Sequence, residues 1–163
     1  RAYMPEMMRM AHHHGMTTSL DTNWDPSEAW ELDGFFDHLD LFLPNEREAT
    51  AISGQLDLGS AIERLRDRVP TLVIKRGAQG AIGFDAHETA FAPAFPVELA
   101  DTTGAGDSFD AGFIAGWLRG QSLKTCLQLG AACGALTCTQ VGGFNGQPTW
   151  SAAMALIHRF GCP

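Results

Sequence analysis

The chain has 163 residues, of which 45% are apolar and 18% charged, with a formal net charge of −8. That composition supports one folded domain with a sizeable core and excludes a disordered tract. The negative balance excludes a nucleic-acid-binding surface, because no Lys/Arg stripe offsets phosphate repulsion, although a single nucleotide can still be held by local dipoles and a metal.

The first predicted element is a helix over Pro5–His14, with proline near its start and Gly15 as the stop. Three consecutive imidazoles, His12, His13 and His14, invite a metal reading, but neighbours in a helix point to different faces and histidines suit its negative end. Thr17–Asp21 reads as a short strand. Leu39–Leu43 reads as a second strand, after which Asn45 caps a helix running to about Ser53 with a turn at Gly54. Leu58, Ile62, Leu65 and Val69 have helical spacing and lead through Pro70 into the apolar strand Thr71–Ile74. Gly77 and Gly80 separate that strand from Ala81–Phe84, and Ala90–Phe91 and Phe95–Val97 read as further short strands. Helices are expected over Gly106–Arg119, Leu123 to about Thr139, and Ser151–Phe160, with a glycine-rich link at Val141–Gly146. Alternating strands and helices argue for a mainly parallel sheet with helices on both faces, where ligands collect at the carboxyl ends of the strands.

Several features carry no chemistry of their own. Cys126, Cys133, Cys138 and Cys162 lack the spacing of a zinc site and read as buried thiols. Trp24, Trp30, Trp117 and Trp150 are scattered and read as packing residues. Gly54 and Gly59 lack the Gly-Lys-Ser/Thr that completes a Walker A loop, and Gly104-Ala105-Gly106 lacks the third glycine of a dinucleotide fingerprint. No run approaches the roughly 18 apolar residues of a membrane span, and the start has no basic-then-apolar leader, so the cytoplasm is the expected compartment.

The run Asp101-Thr102-Thr103-Gly104-Ala105-Gly106-Asp107 stands directly before a helix. A helix start exposes unpaired N–H groups and the positive end of the dipole, and Gly104 and Gly106 let a ligand approach the backbone. A carboxylate at such an anion site repels the anion, so Asp107 is either a helix cap or a proton acceptor. Spacing alone leaves both readings open. Asp110, one turn on, reads as a dipole-compensating residue.

This run, continued by Ser108-Phe109, resembles the D-T-x-G-A-G-D-x-F signature of the PfkB-type carbohydrate kinases, the ribokinase family. In the same order, Asn45-Glu46-Arg47-Glu48 is similar to the family's N-x-x-E motif, and Lys75-Arg76-Gly77-Ala78-Gln79-Gly80 to its nucleotide-binding strand and turn. The resemblance implies a ribokinase-like α/β fold and ATP-dependent phosphorylation of a hydroxyl on a sugar or sugar-like molecule. It assigns Asp107 as general base and the backbone of Gly104, Ala105, Gly106 and Asp107 as anion hole. Lys75, Gly77, Gly80 and Gly106 would contact the nucleotide, and Asn45 and Glu48 would hold Mg2+ through water, although a cap with a first-turn acid is also a common structural arrangement. Asp101, Thr103 and Gly142 match positions whose oxygens hold a monovalent cation, K+, in some members.

The family's N-terminal half, with its lid and most sugar contacts, has no counterpart here. Residues 1–163 are therefore expected to be the C-terminal portion of a single kinase domain, with homodimerisation through the lid as the implied assembly. Two alternatives stay open. One is a nucleoside or other small-alcohol kinase, because the motifs treat ATP and a hydroxyl and not the rest of the acceptor. The other is a non-catalytic nucleotide-binding module or inactive fragment.

Overall fold

The computed structural model describes residues 3–160 apart from 24, 28, 29 and 33. Trp24 and Cys162 thus lie outside the described residues. The strands stand in one five-stranded sheet in chain order: β1 (Ser19–Leu20), β2 (Leu41–Phe42), β3 (Thr71–Lys75), β4 (Ala81–Phe84) and β5 (Thr89–Ala92). The chain divides into two compact units, Arg1–Lys75 with Phe84–Glu88 and Arg76–Gly83 with Thr89–Pro163.

In the first unit, β1, β2 and β3 are parallel, with Ser19 opposite Leu41 and Leu41 opposite Thr71. This register brings the carboxyl ends of the three strands to one edge. The crossover from β2 to β3 is helical, made by α2 (Glu46–Ser53) and α3 (Leu58–Arg66), the usual solution for a long connection between parallel strands. Both helices are capped by side chains, α2 by Asn45 and α3 by Asp57, and α2 stops at Gly54 in the left-handed region. Leu41, Phe42, Leu43, Leu72, Val73 and Ile74 are buried and continue into Ala49, Ala61 and Leu65. Each large side chain in that set contributes about 1.5–3 kcal/mol of burial.

Helix α1 (Met4–His13) precedes β1 and ends at His14 and Gly15. Of the three histidines, His12 bonds through Nε2 to Asp40 Oδ2 at 2.8 Å, and the Thr18 N–H donates to that same oxygen at 2.7 Å. His13 and His14 are exposed. His12 therefore tacks α1 to the start of β2, and among the described residues no group of three or more His, Cys, Asp and Glu could hold a metal ion.

Strands β4 and β5 are joined by a short turn in which Asp85 Oδ1 accepts the N–H groups of His87 and Glu88. So short a connection makes the pair an antiparallel hairpin, and the sheet is mixed, mostly parallel. The expected strand at Phe95–Val97 does not form: Pro93 and Pro96 remove ladder donors, and Phe95 is instead buried, its ring 5.9 Å from that of Phe160.

Helices α4 (Ala105–Trp117) and α5 (Leu123–Thr137) pack closely, and α6 (Trp150–Arg159) follows under a Thr149 cap. The close approach depends on small residues. A Cβ on Gly112 would stand 2.7 Å from Cys133 Sγ and Leu129 O, one on Gly130 2.9 Å from the Phe109 ring, and one on Gly134 3.1 Å from Ala105 O. Burial of Phe113, Leu127 and Leu129 completes this core.

Candidate active site

The first unit gathers four of the polar residues at the carboxyl edge of its strands. Asn45 follows β2, and its Oδ1 accepts the Glu48 N–H at 2.9 Å while Glu48 Oε2 accepts the Asn45 N–H at 2.9 Å. This is a reciprocal capping box, so the sequence pair expected at a metal also has a structural task. Glu48 is nevertheless unusual for a cap, being only 3% exposed. Burial pushes its carboxyl above the ordinary range, the bond from Asn45 opposes this, the Asp21 charge adds to the rise and the Lys75 charge counters it. The second carboxylate oxygen of Glu48 has no protein partner among the described residues.

Lys75, at the end of β3, bonds through Nζ to Asp21 Oδ2 at 2.9 Å. Its backbone is fixed beside Asn45 by a parallel bridge and by donation to Pro44 O at 3.0 Å. Asp21 is the member that motif reading missed. The usable signal was position: a carboxylate leaving the first strand on the edge where the other motifs end.

In the second unit, Gly77 and Gly80 both have positive φ, but their surroundings differ. Nothing lies within 4 Å of a Cβ placed on Gly77, whereas one on Gly80 would fall 2.1 Å from Ala92 O. Gly77 thus presents open backbone, while the requirement for glycine at position 80 is explained by packing. Arg76 and Gly80 close the turn through N–H to O at 2.8 Å.

The loop before α4 is tied by Asp101. Its Oδ1 accepts the N–H and O–H of Thr103 at 3.0 and 2.8 Å, and its Oδ2 accepts the Gly142 N–H at 2.9 Å. The Thr103 and Gly142 amides and then the Thr103 hydroxyl hold this carboxyl down at about 2. The structure thereby brings together Asp101, Thr103 and Gly142. Ala100 and Asp101 also donate to Cys138 O, hanging the loop on the end of α5. Burial raises Cys133 to about 11, so that group is a thiol and not a nucleophile.

Gly104, at φ 75, is the N-cap of α4, and no side chain caps this helix. Ala105 already donates to Thr102 O at 3.2 Å. Among the described residues the N–H groups of Gly104, Gly106 and Asp107 meet no protein acceptor. Asp107 lies in the first turn, exposed, and its carboxylate accepts no hydrogen bond from the described residues, so it is not the cap. Asp110 is buried and engaged, which separates the two acids of this helix by environment.

Residues 1–150 match the model of the pfkB family carbohydrate kinases. The chain is 30% identical over 153 residues to the ribokinase of Bacillus subtilis, covering 93% of this chain and 50% of that protein. It is 40% identical over 96 residues to the cytidine kinase of Thermococcus kodakarensis, covering 56% of this chain and 34% of that one. The fold matches a ribokinase II-like protein of E. coli solved with ATP and Mg2+, with a TM-score of 0.84, 29% identity, and coverage of 93% and 52%. The chain spans about half the length of most of these relatives, and a third of the cytidine kinase.

Proposed function

Since the chain belongs to the pfkB family of carbohydrate kinases, we propose that it forms the C-terminal portion of a ribokinase-like domain that phosphorylates a hydroxyl of a sugar or sugar-like molecule from ATP. The observation that carries this reading is the first turn of α4: backbone N–H groups without acceptors beside Asp107, a carboxylate with no structural partner. Such donors stabilise charge spreading over phosphate oxygens, and a solvent-facing carboxylate next to them can take the acceptor's proton.

Asp107 is the general base in this reading, and Gly104, Gly106 and Asp107 supply the anion-hole amides, with Ala105 completing the loop. Gly77 and Lys75 meet the nucleotide, Gly77 by open backbone and Lys75 by charge; Gly80 shapes the turn. Mg2+ fits as a hydrated ion: the free oxygen of buried Glu48 can accept from a metal-bound water, while the neighbouring Lys75 ammonium argues against direct caging. Bound there, the ion would neutralise charge on the transferring phosphate. Asp101, Thr103 and Gly142 would offer oxygens to a monovalent cation, whose contribution is positive charge near the loop.

A nucleoside acceptor is the second reading, favoured by the 40% identity to a cytidine kinase. Transfer of labelled γ-phosphate by a longer polypeptide carrying these residues to a panel of pentoses, hexoses and nucleosides tests both. Nucleotide binding without transfer to any acceptor would return the chain to the class of non-catalytic binding modules.

A further inference from the structure

We propose that Asp21 is a positioning residue for nucleotide binding: its carboxylate fixes the Lys75 ammonium at the place where that charge meets phosphate. The inference rests on the kinase reading and deepens it at Lys75. An ammonium is a point charge that binds phosphate without a preferred fork geometry, so what it needs from the protein is a fixed location. A four-carbon stem does not provide one, since lysine carries about 2 kcal/mol of rotamer entropy.

Three observations supply the location. The parallel register of β1, β2 and β3 brings Asp21 and Lys75, 54 positions apart, to one edge. The ion pair is close, 2.9 Å, and its side chains are only 12% and 21% exposed, unlike a solvated surface pair. The Lys75 backbone is itself pinned beside Asn45, so the stem has a fixed origin. With Asp21 engaging the ammonium, the acid chain that would repel an incoming anion becomes its cation's support. Neutralising Asp21 therefore has two opposed effects, less repulsion and a released lysine, and the inference is that release dominates.

The chain has one other lysine, the exposed Lys124, which serves as an internal reference. Acetylation of the full chain by a water-soluble N-hydroxysuccinimide ester, followed by peptide mass spectrometry, reads both amines with and without millimolar MgATP. In the parent, Lys75 should react more slowly than Lys124 and be protected by MgATP. In Asp21→Asn, Lys75 should react about fivefold faster, and protection should need about tenfold more MgATP. Equal Lys75 reactivity in the two proteins, equal protection, or tighter protection in Asp21→Asn would overturn the inference. So would a parent in which MgATP leaves Lys75 unprotected.

Lys75→Met gives an independent arm. If Asp21 acts through Lys75, adding Asp21→Asn to Lys75→Met leaves MgATP affinity unchanged or tighter, since only the repulsion is then removed; a further loss assigns Asp21 a general structural role and overturns the inference. Phosphoryl transfer by a longer polypeptide carrying these residues separates the two readings. Transfer with an unprotected Lys75 refutes this inference alone, whereas no transfer to any acceptor refutes the kinase reading.

Discussion

The Asp101 carboxylate accepts the backbone N–H of Gly142 at 2.9 Å across 41 positions of chain, joining the loop that feeds α4 to the link that follows α5. Because the same carboxylate also holds Thr103, its ionised form is favoured in the folded state and its carboxyl lies at about 2. A lowered folded value means that the stabilisation is complete above the unfolded carboxyl value near 3.9 and is lost as pH falls through about 2. Asp101→Asn should therefore be less stable than the parent at neutral pH, with the gap in urea midpoint narrowing between pH 4 and pH 2. A gap independent of pH would remove the charge from this account.

Asp107→Asn should lower turnover by about 10²–10⁴-fold in a longer polypeptide that carries these residues and is active. The thermal midpoint and nucleotide affinity should stay near those of the parent, since the side chain is exposed and unbonded. Near-normal turnover would dismiss Asp107 as the base.

Glu48→Gln separates function from stability. Burial raises the Glu48 carboxyl, so the folded state prefers it neutral, and a glutamine oxygen still accepts the Asn45 N–H. Relative to the variant, the parent should lose stability as pH rises from the unfolded value near 4.3 through the raised folded one. At neutral pH the variant should thus melt no lower than the parent, yet need more Mg2+ for half-maximal rate. A large fall in melting temperature with an unchanged Mg2+ titration would leave Glu48 a cap and nothing more.

Gly104→Ala combines an unfavourable backbone with a crowded approach, because its Cβ would stand 3.0 Å from Gly143 Cα at φ 75. Gly54→Ala supplies the comparison, with φ 68 and nothing within 4 Å. The first should cost about 1–3 kcal/mol and weaken nucleotide binding, the second less and with no effect on binding. Chemical denaturation and equilibrium titration of both variants distinguish strain from contact.

The 163-residue chain alone should bind Mg-nucleotide weakly and phosphorylate sugar poorly compared with a longer polypeptide carrying it, because aligned and water-excluded reactants account for roughly 7–11 kcal/mol of barrier in favourable cases. Exposed Met7 and Met10 on α1, with Tyr3 just before it, should make it associate. Equal rates for the two polypeptides would refute this.

Local rules carried most of the fold from sequence. Asn45 caps α2 where the sequence places it, and Gly15 and Gly54 mark stops, whereas the Asp57 and Thr149 caps emerge only in the structure. The failure at Phe95–Val97 came from weighing apolar residues above the missing proline donors. In the site, contiguous motifs were readable, but the Asp21–Lys75 pair was not, because strand register and not spacing brings those residues together. Gly77 and Gly80 look alike in the sequence; only the position of Ala92 O tells open backbone from filled space.

The glycine seam between α4 and α5 makes the second helix a shim that sets the height of the first. Gly134 faces the carbonyl of Ala105, the residue that begins α4, so a methyl at position 134 presses on the turn that carries the acceptor-free amides. On the kinase reading, anion affinity would then be set in part from a helix that itself never needs to touch the anion. Graded replacements at Gly134, glycine to alanine to serine, would act as a mechanical dial on the loop before α4, and drift along that seam would retune the candidate site while leaving every signature residue intact.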